Sequence, residues 1–275
     1  MFIESAGMTH IGKRRKENQD ALLIDDTLGL YVVADGVGGH QAGEVASQMA
    51  VEIICQNMNG SFDHGINGEE AAQDPTLSQA ANHLMSSIHL ANHEVHKSAN
   101  SNKDYHGMGS TVSAVYVTDK TLVAANVGDS PIYLVRQGII DLLSVPHTMQ
   151  NEQAVVDSEG NKSLGSSFKH ILTRAIGARK IVKADIFELQ YFEGDTIVIC
   201  SDGLSDKLSP DEILEVVTNE QPDTACRMLI DRANERGGDD NVTVIVLILN
   251  KNNSIKGKVF KFFRGLGKQK LVIKK

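Results

Sequence analysis

Residues 28–40 read LGLYVVADGVGGH, an apolar run that stops at Asp35 and passes directly into a glycine-rich turn. The apolar run predicts a strand over about 28–35. Apolar residues recur at four-residue spacing over 41–58, which predicts a helix directly after the turn. The turn therefore stands between a strand and a helix, where a rigid sheet can present Asp35 to a cleft. Its glycines do not fit the GxGxxG spacing of a nucleotide-binding loop.

Four further aspartates stand at the ends of apolar runs, as Asp35 does. They are Asp20 before ALLI, Asp129 after LVAANVG, Asp202 after IVICS and Asp240 shortly before VTVIVLIL. The turn preference of Asp explains any one of them, but five together predict a shared cluster at strand ends. Crowded carboxylates repel one another unless cations neutralise them. A set of oxygen ligands suits Mg²⁺ or Mn²⁺ rather than zinc.

The other predicted elements come in blocks of one kind. Further strands are predicted at 2–10, 20–25, 111–118, 121–128, 131–136, 139–143, 183–190, 195–201 and 242–249, and further helices at 76–99, 210–218 and 222–236. Residues 147–170 are mixed and polar, which predicts a mobile flap. Runs of strands interrupted by paired helices indicate an α+β layered fold rather than βαβ alternation.

Length and composition favour one large globular domain. The chain has 275 residues, of which 41% are hydrophobic and 23% are charged, an ordinary balance that argues against disorder. Three widely spaced cysteines, Cys55, Cys200 and Cys226, predict reduced buried thiols. The first twenty residues show no secretory signal, and no apolar run approaches the ~20 residues of a spanning helix. We therefore expect a cytoplasmic protein.

Charge divides the chain into an acidic body, residues 1–249, and a basic tail, residues 250–275. The tail carries nine Lys or Arg and no acid, so the net charge of -8 leaves -17 on the body. An acidic body argues against nucleic acid as its ligand and suits divalent cations. The tail mixes its basic residues with apolar ones. This composition is compatible with peripheral binding to the anionic inner membrane or with binding to an acidic partner, and equally with a tail that only increases solubility.

Seven motifs, in this order, resemble those of the metal-dependent Ser/Thr protein phosphatases of the 2C type, the PPM family, in its bacterial form. They are RKENQD at 15–20, VADGVGGH at 33–40, GST at 109–111, NVGDS at 126–130, LTRAIG at 172–177, SDGLSD at 201–206 and DDNVT at 239–243. The resemblance covers about residues 5–249. It implies a four-layer αββα sandwich in which helices flank two central antiparallel β-sheets.

The resemblance also implies a centre of two Mn²⁺ or Mg²⁺ ions. Asp35 would bridge the two ions, and the carbonyl of Gly36 would join one of them. The other implied ligands are Asp202 and Asp240, Asp20 mainly through water, and Asp129 and Asp206 for a third, weaker ion. Two ions lower the pKa of a shared water and orient the resulting hydroxide toward phosphorus.

Arg15 would bind the phosphate, because a guanidinium matches phosphate oxygens bidentately and stays charged. No phosphoenzyme is then needed. The implied substrates are phosphoserine and phosphothreonine proteins, and the implied role is to reverse a Ser/Thr kinase in bacterial signalling. The alternative is a catalytically silent member of the same fold that binds phosphoproteins as a scaffold.

Some positions depart from the family pattern. Val37 occupies the place where animal members have a histidine proposed as the general acid, so the proton donor is open and His40 is a nearby candidate. Pro131 stands where the family usually has Arg, and Pro146 stands where it usually has Asp. Neither change touches a main metal ligand. These departures bear on surface contacts and substrate preference.

Overall fold

The computed structural model describes residues 2–38, 42–61, 73–156, 171–250 and 272–274, and their strands form two antiparallel sheets. The smaller sheet has the order β1 (Phe2–His10), β11 (Val242–Asn250), β10 (Asp195–Cys200), β7 (Ile132–Arg136) and β8 (Ile139–Leu142). The larger sheet has the order β12 (Val272–Lys274), β2 (Asp20–Asp25), β3 (Leu30–Val37), β5 (Val112–Val117), β6 (Leu122–Val127) and β9 (Asp185–Leu189), and β4 (Gly109–Ser110) pairs with the end of β3.

Helices cover the outer face of each sheet. Helices α1 (Ala42–Met58) and α2 (Gln79–Ser101) pack on the larger sheet, and α4 (Asp202–Ser205), α5 (Pro210–Asn219) and α6 (Pro222–Glu235) pack on the smaller one. A further helix, α3 (Met149–Val156), follows β8. The predicted four-layer αββα sandwich is thereby confirmed.

Strand β2 shows how the sequence builds these layers. Leu22 points into the space between the sheets and belongs to the same apolar cluster as Ile197 and Ile245 of the smaller sheet. Its neighbours Ala21 and Leu23 point the other way, into the cluster beneath α1 and α2. Successive side chains of a strand face opposite sides, so apolar residues on both faces place the sheet between two layers.

The predicted elements are present at nearly the predicted bounds, and the structure adds short ones. The sequence analysis did not predict α4, β4 or the 3₁₀ turn at Lys103–Tyr105. These are two to four residues long, too short to show a period. The three cysteines are buried thiols, as predicted. No helix among the described residues is long and apolar enough to cross a membrane.

Two predicted segments are only partly described. The first part of the predicted flap forms α3, and residues 157–170 lie outside the described residues. In the predicted tail, residues 272–274 form β12 against β2, whereas residues 251–271 lie outside the described residues. The sequence analysis predicted no strand in this tail. An edge strand such as β2 offers unpaired backbone groups, which is the physical reason a short tail segment can pair with it.

Candidate metal and phosphate site

Strand ends of both sheets meet at a polar cleft of about 240 Å³. The cleft brings together six of the predicted site residues: Arg15, Asp35, Gly36, Asp129, Asp202 and Asp240. The rest of its wall consists of Gln19, Val37, Gly38, Thr111, Leu172 and Asn241. Positions that are far apart in the sequence thus share one small volume.

Strand register explains this convergence. In the larger sheet, Asp20 at the start of β2 lies directly opposite Asp35 near the end of β3. In the smaller sheet, β10 ends beside the start of β11, so Asp202 after β10 and Asp240 before β11 lie at the same edge. Because the sheets pack face to face, these two edges form the opposite walls of the cleft.

Asp20 is not among the residues that line the cleft, and it is buried, with 2% of its surface exposed. One oxygen accepts hydrogen bonds from the Ser201 hydroxyl at 2.8 Å and the Thr243 hydroxyl at 2.6 Å. The other oxygen is buried and has no hydrogen-bond partner among the described residues. Burial raises the pKa of Asp20 to about 7, the two hydroxyls oppose that rise, and the charges of Asp202 and Asp240 add to it.

The backbone of Asp35 is held on both sides. Its N–H donates to the Thr111 hydroxyl at 2.9 Å, and its carbonyl accepts from the Thr111 N–H at 2.8 Å and the Ser110 hydroxyl at 3.1 Å. Burial raises the pKa of the Asp35 carboxyl well above its usual range, and the neighbouring aspartates, Asp20 first, raise it further. A cation bound among these carboxylates would offset their mutual repulsion.

Two glycines allow helices to approach these strand ends closely. A Cβ on Gly36 would lie 2.1 Å from the carbonyl oxygen of Gly43 in α1, and a Cβ on Gly203 would lie 1.9 Å from the carbonyl oxygen of Asn241. Both obstacles are backbone atoms, so a larger residue would force the helix away from the strand. The role of the Gly36 carbonyl as a ligand stays a prediction.

The donor set fits a hard divalent cation. It consists of clustered carboxylates, including a buried Asp20 oxygen with no hydrogen-bond partner among the described residues. Within the same part of the chain, no group of three Asp, Glu, His or Cys side chains is arranged to hold an ion by itself. Mg²⁺ commonly keeps several waters and takes only one or two carboxylates. The aspartates that line the cleft could supply those carboxylates.

Arg15 lies at the rim, on the loop between β1 and β2. Its Nη2 donates to Asp240 Oδ2 at 2.6 Å, and this hydrogen bond raises the pKa of the already basic guanidinium. A guanidinium has five N–H donors, so this contact leaves others that could meet phosphate oxygens. Arg15 thus joins the acidic cluster to the rim, where an incoming anion would arrive first.

The remaining predicted residues differ in their placement. Asp129 reaches the cleft after Gly128, whose φ of 108° favours glycine. Asp206 caps α4, where its N–H donates to the Asp202 carbonyl at 2.8 Å, and it is not among the residues that line the cleft. His40, the candidate general acid, lies outside the described residues.

A histidine that the sequence analysis did not assign supports the Asp129 turn. His147 is 2% exposed, and its Nδ1 accepts from the Gly128 N–H at 3.0 Å. Its Nε2 therefore carries the proton and donates to Asp185 at 3.0 Å, while Arg174 donates to the same carboxylate at 2.8 Å. Burial lowers the pKa of His147, which favours this neutral form. Only the LTRAIG motif signalled this network, and it did not indicate the partners.

Comparisons with known proteins agree with this geometry. The family model for protein phosphatase 2C matches residues 6–235. Over 255 residues, the chain is 31% identical to the serine/threonine phosphatase stp of Listeria innocua, covering 91% of this chain and 96% of that protein.

Solved structures extend the likeness to three dimensions. A serine/threonine phosphatase of S. agalactiae superposes with a TM-score of 0.78 at 33% identity, covering 90% of this chain and 100% of that one. The catalytic domain of the serine threonine protein phosphatase PstP, in complex with two manganese ions, superposes with a TM-score of 0.75 at 27% identity, covering 90% and 99%. The family model spans most of the chain. The chain belongs to the protein phosphatase 2C family.

Proposed function

We propose that this member of the family is a divalent-metal-dependent protein serine/threonine phosphatase, in which ions held by the aspartates would activate water for direct hydrolysis of the phosphomonoester. The observation that carries the proposal is the convergence of the strand-end aspartates with Arg15 at one cleft. Serine/threonine phosphatases recur among its relatives and structural neighbours, and one of these neighbours holds two manganese ions. Mn²⁺ or Mg²⁺ is therefore the cofactor we propose, with two ions and a third, weaker one.

The proposed ligands are those that the resemblance implies. Asp35 would bridge the ions with help from the Gly36 carbonyl, Asp202 and Asp240 would hold one ion, and Asp20 would contribute mainly through water. Asp129 and Asp206 would serve the third ion. Bound ions of this kind supply a hydroxide near neutral pH and polarise the phosphoryl group.

The residues of the chain orient the reaction. The hydroxyls of Ser201 and Thr243 fix the Asp20 carboxylate, and the backbone clamp of Thr111 fixes Asp35. Arg15, held by Asp240 at 2.6 Å, would place the phosphate so that water attacks opposite the leaving oxygen.

Direct attack by water is also supported by what surrounds the cleft. The Thr111 hydroxyl accepts from the Asp35 N–H and shares a 2.8 Å hydrogen bond with Ser130, so it is engaged in structure rather than poised as a nucleophile. The three cysteines are buried, and the pKa of Cys200 is raised by burial, which keeps it a thiol. No phosphoenzyme is part of the proposal.

The physiological setting rests on the resemblance alone. We propose phosphoserine and phosphothreonine proteins as substrates and a cognate Ser/Thr kinase as the opposing enzyme. The division into a catalytic region, residues 1–249, and a basic tail, residues 250–275, also stays a prediction, as do the tail's contact with an anionic membrane or acidic partner and the cytoplasmic location. Pelleting with anionic liposomes, comparing the full chain with one that ends at Leu249, would test the membrane contact.

The test of the activity is hydrolysis of a phosphothreonine peptide with Mn²⁺, with and without EDTA. We expect metal-dependent turnover that Asp35→Asn lowers by at least about three orders of magnitude, since it removes the proposed bridging carboxylate. Asp119→Asn, in an exposed turn between β5 and β6, is the matched control and should leave turnover unchanged.

Two results would overturn the proposal. Turnover of Asp35→Asn equal to that of the unmodified protein would exclude the metal mechanism. Absence of turnover in folded, Mn²⁺-loaded protein, together with measurable binding of the phosphopeptide by calorimetry, would favour the scaffold alternative.

A further inference from the structure

The loop between β1 and β2 carries four consecutive basic residues, Lys13, Arg14, Arg15 and Lys16, and all four are exposed. Arg15 lines the cleft. Consecutive Cα atoms are about 3.8 Å apart, so the two lysines start within roughly 4–8 Å of the Cα of Arg15. This basic rim stands out on a body, residues 1–249, with a net charge of -17.

The backbone of this loop is anchored at several points. The N–H groups of Lys13 and Arg14 donate to the Gly238 carbonyl at 2.7 and 3.2 Å. The Asn241 side-chain amide donates to the Ile11 and Glu17 carbonyls, both at 2.9 Å, and so ties both ends of the loop. The basic rim is therefore fixed to the chain segment that carries Asp240.

Close packing at Gly12 adds to this anchoring. Gly12 has a φ of 82°, and a Cβ there would lie 2.1 Å from the carbonyl oxygen of Asp240. A backbone that approaches this closely holds the start of the basic rim directly against a proposed metal ligand.

The four charges are not equally engaged. Arg14 pairs with Asp239 at 2.9 Å, and Arg15 pairs with Asp240 at 2.6 Å. Lys13 and Lys16 have no ion-pair partner among the described residues. They are the charges that this rim leaves available for a bound molecule.

We propose that Lys13 and Lys16 select phosphorylated segments that carry Asp or Glu within about three residues of the phosphorylated residue. This inference rests on the proposed function and adds a substrate preference to it. An extended peptide advances about 3.3 Å per residue, so the second and third neighbours of the phosphorylated residue lie roughly 7–10 Å from a phosphate held by Arg15. A lysine side chain spans most of that distance.

The expected size of the preference follows from exposure. Exposed ion pairs each change binding about two- to fivefold and weaken with salt, because the Debye length shrinks from about 10 Å at 0.1 M. Two lysines acting on one acidic segment therefore predict a preference of about tenfold in kcat/KM. Such charges act mainly on substrate capture, so kcat at saturation should change little.

The experiment compares three phosphothreonine peptides that differ only in flanking residues: acidic, neutral and basic. We expect kcat/KM to be about tenfold higher for the acidic than for the basic peptide at 50 mM NaCl and nearly equal at 500 mM NaCl. The double variant Lys13→Ala/Lys16→Ala should bring the ratio to within about twofold. Lys120→Ala, in an exposed turn between β5 and β6, is the matched control and should keep the full ratio.

A small substrate separates failure of this inference from failure of the proposed function. If p-nitrophenyl phosphate is hydrolysed but the three peptides have equal kcat/KM, the preference is wrong and the phosphatase assignment stands. If the preference exists but survives Lys13→Ala/Lys16→Ala, the assignment to this loop is wrong. Salt-sensitive binding to anionic liposomes that the double variant loses, without any peptide preference, would assign the loop to a membrane instead.

Discussion

Two aspartates in different regions of the molecule are equally buried, each with 2% of its surface exposed. The charges around them have opposite signs. Asp195, at the start of β10, accepts two hydrogen bonds from Arg136 at 2.9 and 2.7 Å and a third from the Phe192 N–H at 2.7 Å. Asp20, at the start of β2, accepts from two neutral hydroxyls and faces other carboxylates.

The difference separates a structural carboxylate from a functional one. A buried charge that is fully hydrogen-bonded to an arginine contributes to the fold. A buried carboxylate among like charges is stable only with a proton or a cation, and such perturbed groups concentrate at functional sites. Burial alone would not have distinguished Asp20 from Asp195, whereas the charge of the partner does.

The largest expected contrast comes from the same substitution at both positions. Asp195→Asn removes the charge that Arg136 needs and should cost about 3 kcal/mol of unfolding free energy, measured by urea denaturation, with normal turnover per folded molecule. Asp20→Asn removes repulsion while its carbonyl can still accept from the hydroxyls. It should keep or raise the stability of the metal-free protein at pH 8 and lower turnover at least tenfold.

The reverse pattern would contradict the comparison. If Asp20→Asn unfolds the metal-free protein more readily than Asp195→Asn does, the Asp20 carboxylate is a structural group. Manganese binding by calorimetry provides a second readout, since only Asp20→Asn should weaken it.

A smaller effect concerns pH. The pKa of Asp20 in the folded protein is about 7, against an ordinary value of 3.8, so the folded metal-free chain binds more protons than the unfolded chain between these values. The stability of the EDTA-treated protein should therefore fall as pH rises from about 4 to about 7, by on the order of a few kcal/mol. The upward shift of the Asp35 pKa acts in the same direction.

Manganese should reverse this trend, because the cation takes the place of the proton and its binding releases protons. Urea denaturation at several pH values, with EDTA or with Mn²⁺, measures both the loss of stability without metal and its reversal by Mn²⁺. Equal stability of the EDTA-treated protein at pH 5 and pH 8 would show that the cleft carboxylates do not repel one another as the structure indicates.

The smallest expected change in activity comes from substitutions of His147, which supports the turn that carries Asp129. Asn at this position can place an acceptor near the Nδ1 position and so keep the bond to the Gly128 N–H, whereas Gln places its amide near the Nε2 position and loses that bond. His147→Gln should raise the Mn²⁺ concentration for half-maximal turnover about tenfold, and His147→Asn should stay within about threefold of the unmodified protein. We expect similar melting temperatures for both variants.

That matched pair distinguishes positioning from simple stability. Equal Mn²⁺ dependence in the two variants, with a loss of melting temperature in both, would show that His147 supports the fold only. A selective effect of the Gln variant would show that the Gly128–His147 hydrogen bond sets the Asp129 turn.

Much of the fold was predictable because its signals are local. The continuous apolar run of β2 and the four-residue spacing along α1 are both patterns within a few residues of sequence. The turn from Asp35 into glycine likewise marked the edge of the sheet. Elements of two to four residues, such as α4 and β4, carry no period and became visible only in the structure.

The sequence by itself determined the apolar runs that form the strands, the aspartates at their ends and the oxygen-only character of the cluster. Tertiary structure decided which groups meet. The Thr243 hydroxyl reaches Asp20 across 223 positions, and His147 reaches Asp185 across 38. It also decided that Asp195 has an arginine and Asp20 a carboxylate cluster. The reason is physical. The sequence specifies the chemistry of each side chain, whereas the burial and the neighbouring charges that shift a pKa depend on groups that come together only when the sheets pack.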